Sequence, residues 1–500
     1  MSITTFENLC ERVAEEKAQG KRLVLCHGAF DLLHIGHIRF LQQARQLGDC
    51  LIVTVTPDRY VDKGPGRPAF PEHLRLESVA ALDCVNYAAI NPWPTTEETL
   101  RRLLPQVYAK GKEFCDCEDL KETIDSEAAV CAEIGCELTF IEDIVFSSSN
   151  LINRYLSTLS KDAQDFLRTF RLRYGVEDVV AHIDAFAQLK VLVVGDAVVD
   201  KYIYCSSLGS SSKDPMLALQ YQSQELFAGG ALAVANHLAE LTEHVTLVSV
   251  LGDDDYANVI QDHLHPSIRF LPVIRKGSPT VTKTRILDNY SLQKLLEIYT
   301  MESKPLVGDA LETLHATVTP LLPHSDVVLA ADFGHGCIPA SLVEVLANQA
   351  PYLAVNTQAN AANRGHHTIS RYPSADFISL SSHEINLEYR NTFWSLNDMM
   401  LDLQKRLHCP TIVVTEGRNG CAVLQQEFVR APSLTASVVD RVGAGDALFA
   451  ITALAAHLHF PSDLLAFLGN IVGSIAVETI GNAKAVSRDG IQKYITSLLQ

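Results

Sequence analysis

His27-Gly28-Ala29-Phe30-Asp31-Leu32-Leu33-His34-Ile35-Gly36-His37 sets histidines and glycines where a strand hands over to a helix. Leu23-Val24-Leu25-Cys26 ahead of it reads as a short buried strand, and Ile38 to Ala44 behind it has apolar residues at helical spacing. Glycines at such a junction let the backbone approach an anion, the first N–H groups of the helix face it, and the imidazoles of His34 and His37 add donors. The stretch therefore predicts a phosphate site.

Outward from it, short apolar runs alternate with helical stretches from Lys21 to about Arg154, the pattern of a parallel sheet wrapped by helices. Leu51 to Val55 is the next strand, and the loop Asp58 to Pro68 carries the cations Arg59, Lys63 and Arg67. Glu72 to Leu82 reads as an amphipathic helix, Val107 to Gly111 as a strand ending in a basic turn, and Phe146 to Ile152 offers hydroxyls at a helix start. These pieces resemble the GxFDxxHxGH nucleotidyltransferases and, in their order, the adenylyltransferase half of the bifunctional heptose kinase/adenylyltransferases. Such an enzyme moves a nucleotidyl group from an NTP to a sugar phosphate. The nucleophile is already an anion, so the protein mainly stabilises charge around the α-phosphorus and the departing pyrophosphate.

The resemblance implies that His34 and His37 hold the triphosphate together with Gly28, Phe30, Asp31 and Gly36. It implies that Lys63 and Lys110 neutralise developing charge, and that Ser147, Ser148 and Ser149 cap the pyrophosphate. Arg67 and Arg75 would meet the sugar phosphate, with Mg²⁺ bridging the phosphates. One departure stands at Lys110-Gly111-Lys112-Glu113-Phe114, where the family has KGGDY, so the sugar side of the pocket differs.

Five hundred residues exceed one core and imply two or three domains. A net charge of −18 argues against a surface that coats nucleic acid or an anionic membrane, so small anionic ligands must be caught by local N–H groups and a few cations. Met1 to Arg22 is rich in Glu and lacks the apolar core of a secretory signal, and no apolar run is long enough to span a bilayer. A cytoplasmic protein is expected. The 12 cysteines are scattered, and Cys115 and Cys117 lack a second pair at zinc-ligand spacing, so free thiols are expected.

Ser157 to Gln188 has the apolar spacing of helices without a Gly-rich or Pro-rich tether, and reads as a helical connector that packs on one or both domains. Lys190 to Asp196 begins a new strand-to-turn unit with Asp200 just beyond it, Gly229-Gly230 opens a helix of small residues, and Thr415, Gly417 and Gly420 fall in a TxGxxG turn. In Asp440-Arg441-Val442-Gly443-Ala444-Gly445-Asp446, unhindered N–H groups at a helix start make an anion hole, and Asp446 stands beside it as a general base.

From Lys190 onward these motifs resemble the ribokinase-like (PfkB) carbohydrate kinases. The resemblance implies that Asp446 activates the sugar hydroxyl and that Gly443, Ala444 and Gly445 form the anion hole. Asp196, Asp200, Gly229, Gly230 and Asn236 would line the sugar, Thr415, Gly417 and Gly420 the ATP side, and Glu384 would organise Mg²⁺. Val442, Ser381 and Ala233 stand where the family has Thr, Asn and Asn. Tyr202 to Gln224 and Thr280 to Tyr299 alternate as strands of a β lid, and such lids pair between subunits in the family, so a homodimer is expected.

The expected architecture is α/β throughout: a Rossmann-like HxGH nucleotidyltransferase domain over 1–155, a helical connector over 156–188, and a ribokinase-like domain with a small β lid over 189–500. The resemblance implies a bifunctional enzyme acting on a heptose-like sugar phosphate, with the two halves in the reverse of the known order. A cytidylyltransferase using CTP beside a kinase of another sugar or polyol, and a regulatory protein with a degenerate kinase domain, remain as alternatives.

Overall fold

Leu23, Val24, Leu25 and Cys26 are fully buried, and the strand they form, β1 (Leu23–Gly28), is the centre of a five-stranded sheet. Its neighbours are β2 (Cys50–Val55), β3 (Tyr87–Ile90), β4 (Val107–Gly111) and β5 (Glu137–Ile141), in the order β3-β2-β1-β4-β5. Every pairing is parallel, so both faces need cover, and helices such as Phe6–Ala18 and Ile35–Arg45 supply it. The computed structural model describes residues 3–61, 68–111, 121–141, 159–211, 214–363, 365–390, 393–435 and 437–499.

The chain divides into two units, residues 1–158 and 159–499. In the second, nine strands form one sheet in the order β10-β9-β6-β13-β14-β15-β16-β17-β18. These are β6 (Lys190–Gly195), β9 (His244–Gly252), β10 (Arg269–Arg275), β13 (Val327–Asp332), β14 (Leu353–Thr357), β15 (Phe377–Ser381), β16 (Thr411–Thr415), β17 (Cys421–Leu424) and β18 (Phe428–Ala431). A separate four-stranded sheet, β12-β11-β7-β8, is built from β7 (Ala197–Ser210), β8 (Leu217–Gly230), β11 (Thr282–Asp288) and β12 (Lys294–Thr300), the two segments whose alternation predicts a lid.

Two almost wholly apolar helices, Ala444–His457 and Ser462–Ala476, pack inside this unit and join a core that includes the small-residue helix Ala231–Ala239. The stretch expected to act as a connector is part of the same core. Ala163, Leu167, Phe170, Val179, Ile183 and Phe186 are buried in it, Phe170 stacks on Phe467 at 4.1 Å, and Arg173 and Tyr174 bond Asp463 at 2.6 and 3.0 Å. An apolar helical face of this size is stable only when covered, which is why the stretch is not a tether. Among the described residues no helix is long and apolar enough to cross a membrane, and the described cysteines are free thiols.

Candidate active sites

In the first unit the chain leaves β1 towards β2 on one side and returns to β4 on the other. That reversal opens a crevice at the C-terminal ends of β1 and β4, where ligands of such sheets bind. His34 is the N-cap of helix Ile35–Arg45, its Nδ1 accepting the Gly36 N–H at 3.1 Å. His37 stacks on it with ring centroids 4.0 Å apart and meets the Phe30 ring edge-on at 5.5 Å. The two histidines, Gly36 and Phe30 are thus gathered at the helix start, and Gly28 ends β1 where a Cβ would come within 3.3 Å of the Phe30 ring.

Two other expected ligand contacts are spent within the protein. Asp31 is buried and accepts the N–H groups of Ala69 and Phe70 at 2.8 and 3.1 Å. Arg75 is also fully buried, and its guanidinium donates to the carbonyls of Phe70, Ala29 and Thr56 and to Asp58. Together they clamp a turn in which Phe30 and Leu32 hold left-handed backbone, φ 47° and 49°, which side-chain-bearing residues avoid. Arg75 therefore positions the turn.

Lys110, expected to neutralise charge at the nucleotide, is buried on β4 in an ion pair with Glu127, which also bonds the Tyr108 hydroxyl at 3.1 Å. Beside it His27 bridges Thr54 and Thr56 at 2.9 and 3.2 Å. Burial and the Lys110 charge push that imidazole down to about 4, so it stays neutral. Lys63, Arg67, Lys112, Cys115, Cys117, Ser147, Ser148 and Ser149 lie outside the described residues.

In the second unit the reversal falls between β6 and β13. Asp196 follows β6, but its carboxylate accepts the N–H groups of Phe333 (2.9 Å), His335 (3.1 Å) and Cys337 (2.9 Å). It anchors the loop after β13, and among the described residues its Oδ1 accepts only the Cys337 N–H. Asp200 on β7 forms a buried ion pair with Arg285 of β11, which also reaches Glu297 at 3.0 Å. Neither glycine of the Gly229-Gly230 pair has room for a side chain: a Cβ on Gly229 would overlap the Asp200 carboxylate, and one on Gly230, whose φ is 60°, would press on the Asp196 carbonyl. Asn236 is turned elsewhere, donating to the His263 carbonyl and accepting the His265 N–H, both at 2.9 Å. It ties a helix to a loop.

Gly443, with φ 84°, caps helix Ala444–His457, whose first N–H groups have no carbonyl one turn back to bond. Asp446 is buried in that first turn. Burial, followed by the Asp200 charge, pushes its carboxyl up to about 7; Glu384 adds to the rise and Lys283 opposes it. Asp200, Lys283, Glu384 and Asp446 therefore share one electrostatic site. Glu384 accepts the N–H groups of Ser381 (2.6 Å) and Ala359 (3.0 Å), and the Ser381 hydroxyl accepts the Glu384 N–H at 3.2 Å. Ser381 thus caps the helix. Thr415, Gly417 and Gly420 sit at the end of β16 and in the turn to β17, away from the β6–β13 reversal in strand order.

Asp440, at the head of the same motif, latches the lid to this turn, accepting the Tyr202 hydroxyl (2.9 Å), the Gly481 N–H (3.1 Å) and the Lys294 ammonium. Sequence reasoning missed Lys283 and Arg285, although Thr282-Lys283-Thr284-Arg285 puts two cations at alternate positions of a lid strand and so on one face.

Residues 188–488 match the model of the pfkB family carbohydrate kinases. The chain belongs to that family. Residues 25–161 match the cytidylyltransferase-like family, so the nucleotidyltransferase segment precedes the kinase, as the order of motifs implies. The bifunctional protein HldE of Koribacter versatilis is 28% identical over 298 residues, 59% of this chain and 60% of its own length. HldE of Trichlorobacter lovleyi is 43% identical over 114 residues, 22% of this chain and 23% of its own. The chain therefore spans three fifths or less of these curated relatives. Escherichia coli phosphofructokinase-2, solved in complex with fructose-6-phosphate, superposes with a TM-score of 0.51 at 13% identity, covering 63% of this chain and all of that one, which establishes the kinase fold.

Proposed function

We propose that this pfkB-family chain is a two-site enzyme. The kinase unit phosphorylates a sugar phosphate of the heptose 7-phosphate kind with ATP, and the first unit transfers a nucleotidyl group from an NTP, ATP by preference, to a sugar 1-phosphate. The product is an NDP-sugar for surface glycan. The observation that carries this reading is Asp446, a buried carboxylate with a pKa near neutrality in the first turn of a helix headed by Gly443-Ala444-Gly445. The sugar hydroxyl attacks the γ-phosphorus, its proton passes to Asp446, and ADP leaves while the helix N–H groups bear the charge of the transferred group.

Among the described residues no three His, Cys, Asp or Glu side chains gather as a metal centre. Mg²⁺ is commonly held by one or two carboxylates plus phosphate oxygens, and Glu384, with a free lone pair left on each oxygen, fits one such contact to an ion that arrives with the nucleotide. In the first unit His34, His37 and the N–H groups of helix Ile35–Arg45 would hold the triphosphate. Exposed Leu217 and Tyr221 on β8 and Leu296 and Ile298 on β12 support pairing of two lids in a homodimer, and use of ATP suits the cytoplasm.

Mass spectrometry of products from Mg²⁺, ATP or CTP, and sugar phosphates headed by heptose 7-phosphate and heptose 1-phosphate tests the proposal. A bisphosphate from the first and an ADP-sugar from the second are expected. Products made only with CTP would replace the nucleotide and keep the architecture, and no product from any sugar would favour a regulatory role.

A further inference from the structure

Lys283 lies on β11 in register with Asp200 of β7, at the edge of the Asp446 site. It is 5% exposed and makes no hydrogen bond or ion pair among the described residues. Its ammonium instead stands 5.4 Å from the ring centre of Tyr299 and 5.7 Å from that of Phe333. Ring faces attract a cation but leave its three donors unmet, so the ammonium has lost water without regaining hydrogen bonds. Arg285, two residues on, is paired with Asp200 and Glu297, so Lys283 is the cation of this strand without a carboxylate partner of its own among the described residues.

His335 stands across Tyr299, ring centroids 6.3 Å apart. Both of its ring nitrogens are shut from solvent and have no hydrogen-bond partner among the described residues. The loop that carries it is rigid by construction. Asp196 holds the His335 N–H, the amides of Asn360 and Asn363 donate to the Phe333 carbonyl at 2.7 and 2.8 Å, and Gly334, with φ 72°, leaves room for Asn363 and His367. Burial, then the Lys283 charge, pushes the imidazole down to about 3, so it offers one donor and one acceptor. A cation with no ion pair or hydrogen bond of its own among the described residues, held only by the more distant charges of Asp200, Glu297 and Asp446, thus faces a neutral group that suits a hydroxyl.

We propose that Lys283 and His335 read the acceptor in the kinase unit, Lys283 binding the phosphate the sugar already carries and His335 a hydroxyl of the same sugar. The assignment rests on the kinase reading of Asp446 and deepens it, since it makes a phosphorylated sugar, not a neutral one, the preferred acceptor.

Titration calorimetry of the full chain with heptose 7-phosphate and with phosphate-free heptose tests it. The phosphorylated sugar should bind about tenfold to a hundredfold more tightly, as one charge-assisted contact implies. Lys283→Met should erase that preference and leave the affinity for free heptose, whereas His335→Ala should weaken both sugars alike. Methionine keeps the length and the contact with both rings, so a melting temperature at or above that of the unmodified chain will show that the variant folds. Equal binding of the two sugars by the unmodified chain, or a preference that survives in Lys283→Met, overturns the proposal. Where neither sugar binds, inorganic phosphate is titrated instead, and binding unaffected by Lys283→Met, or none at all, also overturns it. The kinase reading fails separately, through sugar binding with no ATP-dependent turnover.

Discussion

At the scale of single residues, Asp446 makes two predictions of opposite sign. In the folded chain its carboxyl titrates near 7, so the rate of phosphorylation should fall about tenfold per pH unit below that point and level off above it, as a pH–rate profile would read. Asp446→Asn should lower kinase kcat by about a hundredfold to ten-thousandfold while ATP still binds. In the unfolded chain the same carboxyl titrates near 3.9, so between these values the folded state holds the extra proton and stability falls as pH rises. Asn carries no such cost. The melting temperature of Asp446→Asn should therefore exceed that of the unmodified chain at pH 8, and the excess should shrink towards pH 4.

The place of Asp446 in the first turn of a helix was legible because glycines and a carboxylate stand within four residues of one another. The partners of Lys110 and Asp200 were not, since Glu127 and Arg285 come from other elements and only folding brings them into contact. For the same reason the backbone partners that Asp31, Arg75, Asp196 and Asn236 hold in the fold could not be read from the sequence.

At the scale of elements, helix Ser382–Tyr389 explains why a departure from the family pattern is tolerated. Ser381 and Glu384 satisfy each other's N–H groups, so the cap survives the exchange of Asn for Ser, and Glu384 stays oriented. Ser381→Ala should cost about 1 kcal/mol in urea unfolding, whereas Ser381→Asn should be near neutral. The anion-hole helix is less forgiving. A Cβ at Gly443 would collide with Asn482 and would sit on left-handed backbone, so Gly443→Ala should both destabilise the chain and displace the hole. The assay is unfolding and kinase kcat measured on the same preparation; full activity would remove the helix start from the mechanism. The strand-to-helix handover at His34 was readable from periodicity, but the left-handed Phe30 and Leu32 were not. Their conformation is imposed by the Asp31 and Arg75 clamp, a tertiary effect no local propensity encodes.

At the scale of the whole molecule, the alternation of strands and helices announced two α/β units, and the two motif sets announced the two families whose models match them. What the alternation concealed was the loyalty of residues 161–188, because an amphipathic helix shows that it needs cover without showing whose. Two cores, each with its own sheet, lead to one more prediction. His34 caps a helix in one unit and Asp446 sits in the first turn of a helix in the other, and among the described residues each unit has its own sheet and core clusters. His34→Ala should therefore abolish nucleotidyl transfer and leave phosphorylation at its unmodified rate, and Asp446→Asn should do the reverse. Both activities are read on full-length variants whose circular dichroism matches the parent. If either substitution removed both activities from a protein that stays folded, the two units could not hold independent sites, and one of them would have to act by controlling the other.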